Sequence, residues 1–217
     1  MRGMLALRVV KSAAVSIGLV VLITTSPLAA PAHRGPGEFV TELGNRAIEL
    51  LSSKTASEEE QERRFRHILR EGFAVRKIGN FVLGRYRRSA TKGEVSEFLG
   101  LFEDYIVSLY SSAFRSYSGE TFVVARIVKT RSLRDTMVVA HINPDAPDGP
   151  TKVVFQVRRS NDDYKILDVK IQGVSMIVTQ RDEFTGFIRN NGGRVAALIK
   201  ALRKKTAALR TRAGSTQ

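Results

Sequence analysis

The sequence predicts an α+β fold in which a four-stranded antiparallel meander packs against several helices. Two changes of hydrophobic period carry this expectation. A 3.6-residue period governs the chain up to Phe114, short β-branched runs replace it between Thr121 and Gln172, and a helical period returns after Gly173. The third observation is compositional: 217 residues at 43% hydrophobic content are enough for one domain with its own core.

The elements follow in order. Gly35-Pro36-Gly37 reads as a flexible lead-in, after which Phe39, Leu43, Ala47, Leu50 and Leu51 recur at helical spacing until Ser52-Ser53. Ser57 with Glu60 is a capping box for a second helix, whose stripe is Phe65, Ile68, Leu69 and Phe73 and whose weak point is Gly72. A short third helix covers Arg76 to Tyr86. Thr91 with Glu94 caps a long fourth helix carrying Val95, Phe98, Leu99, Phe102, Tyr105, Ile106, Leu109, Tyr110 and Phe114, stopped by Gly119. Strands are expected at Thr121 to Thr130, Thr136 to Asn143, Thr151 to Arg159 and Asp163 to Gln172. Asn143 to Pro150 forms an exposed hairpin loop and Asn161-Asp162 a tight turn. Ile177, Phe184, Phe187 and Ile188 mark a further helix, Gly192-Gly193 break it, and Val195, Leu198, Ile199 and Leu202 begin the last one. Beyond Arg203 the basic, polar tail is expected to fray. The first three strands are apolar on both faces, so either helices cover both or one face lines something apolar that is not protein.

Residues 1–32 stand apart as a signal peptide. Arg2, Arg8 and Lys11 form a basic start, Ala13 to Ile23 is an uncharged run short for a membrane span, and Ala30-Pro31-Ala32 is a small-residue cleavage site that leaves His33 first. The expected mature chain, residues 33–217, is therefore a single exported domain. Loss of three cations lowers the net charge from +14 to +11. In an exported protein that charge points to phospholipid head groups, envelope polymers and acidic protein surfaces, and away from nucleic acid.

Composition also removes chemistry. With no cysteine there is no thiolate nucleophile, no Cys-ligated zinc, no iron–sulfur cluster and no lipid-modified N-terminal cysteine. His33, His67 and His141 are the only histidines, and none has a partner at motif spacing. Gly173-Val174-Ser175 starts like a nucleophile elbow but lacks the second glycine, which makes Ser175 a helix N-cap. Gly79 to Gly84 has the spacing of a phosphate-binding loop, yet Arg85 and Tyr86 replace its Lys and Ser or Thr. Asp162-Asp163 and Asp182-Glu183 lack a third ligand nearby and read as solvated charge. No enzyme activity and no metal or other cofactor is expected.

Several blocks together carry a family resemblance. Phe81-Val82-Leu83-Gly84-Arg85-Tyr86-Arg87-Arg88 followed by Ala90-Thr91 resembles the Leu-Gly-Arg-Tyr-Trp-Arg block of the MlaC family. These are the periplasmic phospholipid-binding auxiliary components of ABC transport systems, also called toluene-tolerance proteins. Phe98, Phe102 and Tyr110 are similar to its aromatic helix, Tyr164-Lys165-Ile166-Leu167-Asp168-Val169 to its Trp-x-x-x-Asp strand, and Gly173-Val174-Ser175 with Arg181 and Phe184 to its Gly-Val-Ser segment. The likeness runs from about Phe39 to Leu202. Departures are Arg87 at an aromatic position, Tyr164 for Trp, and Gln172 for a frequent Glu.

The resemblance implies a periplasmic carrier that holds phospholipid acyl chains in an apolar pocket between sheet and helices. It would shuttle lipid between an outer-membrane lipoprotein complex and an inner-membrane ABC transport complex with its periplasmic substrate-binding subunit. A branch of the family accompanies hopanoid synthesis, so a hopanoid cargo stays open, as does a non-enzymatic adaptor that binds anionic polymers. On this reading Phe73, Ile78, Phe81, Phe102, Ile106, Val124, Val138, Phe155 and Val169 are the candidate tail contacts. Arg85, Arg87 and Arg88 are candidates for head groups or partners.

Overall fold

The computed structural model describes residues 35–53, 56–110, 117–160 and 163–214. The expected leader, the end of the fourth helix at Phe114 and the Asn161-Asp162 turn lie outside these residues. Among the described residues, six helices and five strands follow in chain order: α1 (Pro36–Ser52), α2 (Glu58–Gly72), α3 (Val75–Val82), a 3-10 turn (Gly84–Arg87), α4 (Lys92–Tyr110), β1 (Phe122–Lys129), β2 (Asp135–Ile142), β3 (Thr151–Ser160), β4 (Asp163–Ile171), β5 (Val174–Ser175), α5 (Met176–Asn190) and α6 (Val195–Gly214).

The caps read from the sequence are formed. Glu60 N–H donates to Ser57 Oγ at 3.2 Å. At the start of α4 the box is reciprocal: Glu94 N–H donates to Thr91 Oγ1 at 3.1 Å, and Thr91 N–H donates to the Glu94 carboxylate at 2.8 Å. Three boundaries differ. α1 begins at Pro36 itself, because proline at the first helical position has its φ preset and no N–H to satisfy. The third helix is interrupted, since Gly84 adopts φ +56° and the chain tightens into the 3-10 turn. The tail after Arg203 does not fray: α6 continues to Gly214, with Leu209 against the core, Lys205 Nζ donating to Tyr105 Oη at 3.2 Å and Arg210 pairing with Asp104.

The sheet has five antiparallel strands in the order β1-β2-β3-β4-β5, not four. β5 is two residues long and forms because Gln172 (φ 48°) and Gly173 (φ 87°) both adopt the left-handed region, which folds Val174 back onto Ile171. It was illegible because a two-residue strand has no period, and its second residue already serves as the cap of α5.

The apolar content divides into two separate cores. One joins the sheet to the first two helices: Phe39, Val40, Leu43 and Leu50 of α1, Ile68 of α2, and Val138, Val157 and Ile166 of the strands. The other is purely helical, built from Val82 and Leu83, Tyr86, then Phe98, Leu99, Phe102 and Tyr105 of α4, Phe184 and Ile188 of α5, and Val195, Leu198, Ile199 and Leu202 of α6. Phe184 is the hub of the second core, with its ring 6.0 to 6.3 Å from those of Phe98, Phe102 and Tyr105.

On the sheet, Asp135 is buried and receives Arg158 in a two-toothed contact, Nε to Oδ1 at 2.6 Å and Nη2 to Oδ2 at 2.8 Å, with Gln156 Nε2 donating at 3.1 Å. Hydrogen bonding from Arg158 holds the Asp135 carboxyl below its ordinary range, outweighing the effect of burial. A carboxyl depressed on folding stabilises the protein above the unfolded value of about 3.9, and this contribution fades as pH falls through the lower folded value. Asp135→Asn is therefore expected to lower stability by about 1.5–3 kcal/mol at pH 7 and to flatten the acid limb of Tm against pH. An unchanged acid limb in thermal melts would contradict this role.

Candidate functional site

β4 is where the helical core is attached to the sheet. Register makes this possible: Val157 and Gln156, adjacent on β3, face Ile166 and Asp168, two apart on β4, so Leu167 is an extra residue. Such a bulge turns the side chains on either side of it to opposite faces. Ile166 accordingly enters the sheet core, and its carbonyl accepts the Ala74 N–H at 3.0 Å, pinning the start of α3. Asp168, 4% exposed, instead receives Ser175 Oγ–H at 2.7 Å and Ile177 N–H at 3.4 Å at the start of α5. Ser175 Oγ in turn accepts the Val178 N–H at 3.2 Å, which is the N-cap expected from the sequence.

The second joint is polar. Arg66 on α2 contacts Glu103 and Asp104 on α4, each at 2.8 Å, and Arg70 donates to the same Glu103 from Nε at 2.9 Å. Desolvation opposes ionisation of Glu103, and the two guanidiniums overcome it, leaving its carboxyl below the ordinary range. The sheet core and the helical core are thus linked by a strand anchor, a capping carboxylate and an ion-pair cluster, while each keeps its own apolar interior.

The predicted tail contacts distribute across this arrangement. Phe73, Val124, Val138, Phe155 and Val169 belong to the sheet core, where Val138, Phe155 and Val169 form one cross-strand row. Phe102, Ile78 and Ile106 belong to the helical core. Val138 and Phe102 are sealed at 0% and 3% exposure. Phe73, Ile78, Ile106, Val124, Phe155 and Val169 are half-buried, at the margins of their cores. The chain passes from the sheet core to the helical core between Phe73 and Val75, so this segment lies on the seam between them. Phe81 is in neither core; it is exposed, with the Arg181 guanidinium 4.8 Å from its ring centroid.

One concavity among the described residues lies elsewhere and is of a different character. About 320 Å³ lies between α1 and α2, lined by Arg46, Glu49, Leu50, Glu60, Arg63, Arg64, His67 and Ile68. Beside Leu50 and Ile68, its walls carry the ion pairs of Arg63 and Arg64 with Glu60, and Arg46 and His67 reach Glu71 next to it. Such walls suit a solvated charged surface better than an acyl chain.

Arg85, Arg87 and Arg88 are all exposed. Arg85 lies over the Tyr86 ring at 5.0 Å and donates to its hydroxyl at 3.0 Å, and Arg87 donates to Asn80 Oδ1 at 2.6 Å. None of the three pairs with a carboxylate among the described residues. His67 pairs with Glu71 at 3.1 Å, and among the described residues no three His, Asp or Glu side chains gather as a metal site. No helix among them is long and apolar enough to cross a membrane. Sequence reasoning missed Asp168 as the joint, although an acid inside an apolar strand seven residues before a cap serine is a signal that it has a fixed partner.

Known proteins complete the picture. The sequence profile described as MlaC protein matches residues 41–204. Among solved structures, the fold is similar to that of a phospholipid-binding protein from Ralstonia solanacearum, determined in complex with a phospholipid, with a TM-score of 0.68 at 16% identity, covering 83% of this chain and 99% of that one.

If Asp168 holds α5 to the sheet, Asp168→Ala strands the Ser175 hydroxyl and the Ile177 N–H. The expected cost is about 2–3 kcal/mol, against about 1 kcal/mol for Ser175→Ala. Urea unfolding of the two variants checks this, and equal costs would mean that the carboxylate adds nothing beyond the cap.

Proposed function

The chain belongs to the MlaC family, and from that premise we propose that it is a non-enzymatic carrier of phospholipid. It would hold the acyl chains along the seam between the sheet core and the helical core. The observation that carries this reading is the family match over residues 41–204, joined to a shared fold with a protein solved with phospholipid bound. The two-core architecture supports it on physical grounds.

Two acyl chains contain on the order of 30 methylenes, whose exposure to water would cost more than ~20 kcal/mol at about 0.8 kcal/mol each. A carrier must offer an apolar lining of that scale and still release its cargo. Two cores held together by β4 and by the Arg66, Arg70, Glu103 and Asp104 cluster can part at their margins without either interior being emptied. In this reading the tails contact the half-buried set, Phe73, Ile78, Ile106, Val124, Phe155 and Val169. Val138 and Phe102 support the walls from behind. Phe81 stands outside this lining, and Arg85, Arg87 and Arg88, without a carboxylate partner among the described residues, offer cations to a head-group phosphate or an acidic partner.

The proposal extends to the setting that the sequence suggests: export by a cleaved leader, residence in the periplasm, and traffic between an outer-membrane lipoprotein complex and an inner-membrane ABC transport complex. Neither bond-making chemistry nor a resident cofactor is required of such a protein.

Native mass spectrometry with lipid extraction, on protein purified without detergent, tests the reading. One phospholipid or hopanoid per chain is the expected result. A lipid-free protein that takes no lipid from liposomes would overturn it and favour an adaptor for anionic polymers. Ile78→Asp places a charge at the seam margin at a cost of several kcal/mol to tail binding if it stays ionised, so the folded variant is expected to lose most of its lipid. Full occupancy in that variant would remove Ile78 from the lining.

A further inference from the structure

The β1–β2 hairpin ends in a side chain that the fold does not use. Leu133 is fully exposed at 104%, and Ile127 and Val128 on the strand leading to it are 52% and 39% exposed. This tip is built, not slack. Thr130 Oγ1–H donates to the carbonyls of Asp135 at 2.8 Å and Ser132 at 3.2 Å, and its oxygen accepts the Ser132 N–H at 3.1 Å. Arg134 N–H donates to Ser132 Oγ at 3.3 Å, and its carbonyl accepts the Arg159 N–H from the end of β3 at 2.9 Å. Internal hydrogen bonds therefore fix the loop with its leucine pointing away from both cores.

The charge around the tip is one-sided. Residues 122–142 contain Arg126, Lys129, Arg131 and Arg134 against a single acid, Asp135. That acid is buried and taken up by Arg158. None of the four cations pairs with a carboxylate among the described residues, and Arg159 adds a fifth beside the tip. An apolar point flanked in the chain by cations that have no carboxylate partner among the described residues complements one kind of surface: acyl chains below, phosphate above.

We propose that the β1–β2 hairpin tip is a docking element for anionic phospholipid bilayers. Leu133 enters the head-group region, and Lys129, Arg131 and Arg134 engage lipid phosphates. A protein partner would need a socket shaped to one leucine, whereas a bilayer accepts an apolar tip anywhere on its surface, which is why the lipid surface is the better fit. The inference deepens the carrier reading and rests on it for its purpose, since cargo has to be taken from a bilayer or returned to one. It places the contact away from Arg85, Arg87 and Arg88.

The test is flotation of the purified, cell-processed protein with phosphatidylcholine vesicles, with and without about 30% phosphatidylglycerol. Leu133→Asp and the double variant Arg131→Glu/Arg134→Glu are compared with the parent. Binding is expected only to the anionic vesicles, to weaken sharply in high salt, and to fall at least about tenfold in each variant. Unfolding midpoints should stay put, because the replaced side chains are exposed and belong to neither core. Parent-like binding by both variants would overturn the proposal. So would loss confined to an Arg85→Glu/Arg87→Glu/Arg88→Glu variant, or capture of the parent only by an acidic protein surface. Lipid extracted from the same preparations separates the two readings. A lipid-loaded protein that ignores vesicles removes the docking element and leaves the carrier. A lipid-free protein that floats through its hairpin removes the carrier and leaves the docking element.

Discussion

The architecture depends on how β4 is bulged at Leu167. Without the extra residue, Ile166 and Asp168 would face the same side of the sheet, as residues two apart on a strand do. With it, Ile166 completes the sheet core and offers its carbonyl to Ala74, while Asp168 turns away to hold the Ser175 and Ile177 end of α5. Both helices anchored on this strand, α3 through Ala74 and α5 through Ser175 and Ile177, carry residues of the helical core. One strand therefore sets the position of the helical layer relative to the sheet. The connection is made of hydrogen bonds, leaving the two apolar interiors independent.

Independence of the cores bears on the carrier reading. A single continuous core would have to be emptied to admit acyl chains, with a cavity cost wherever the packing could not collapse. Two cores with half-buried margins can admit them at the boundary, and the polar bridge of Arg66 and Arg70 with Glu103 and Asp104 needs no apolar contact to persist. Charge is distributed in the same spirit. Acids are concentrated on α1, α2 and α4, and several of those on α2 and α4 pair with arginines, whereas the 3-10 turn after α3 and the β1–β2 hairpin carry cations without carboxylate partners among the described residues. The excess positive charge is thus presented at particular faces.

Much of the fold was legible. The helical period located α1, α2 and α4, the two Ser/Thr-x-x-Glu boxes set the starts of α2 and α4, and alternating β-branched runs between Pro-, Gly- and Asp-rich turns located β1 to β4 within a residue or two. Periodicity reports that a side chain is buried and is silent about what it is buried against. For that reason Phe102 and Val138, read together as walls of one pocket, lie in different cores. The α6 extension was hidden because its anchors, Tyr105 for Lys205 and Asp104 for Arg210, come from a helix a hundred residues earlier. Leu133 was passed over because a lone leucine in a polar turn looks the same in sequence whether it folds inward or stands in solvent.

Hydrogen exchange of the lipid-loaded protein against the same protein stripped of lipid tests the central claim most directly. If tails lie along the seam, removal of lipid should change exchange in residues 73–82, in β4 and β5, and around Ile106, while the charged cavity between α1 and α2 stays as it was. Changes confined to the α1–α2 cavity, or exchange that is the same in both states, would contradict a cargo held between the two cores.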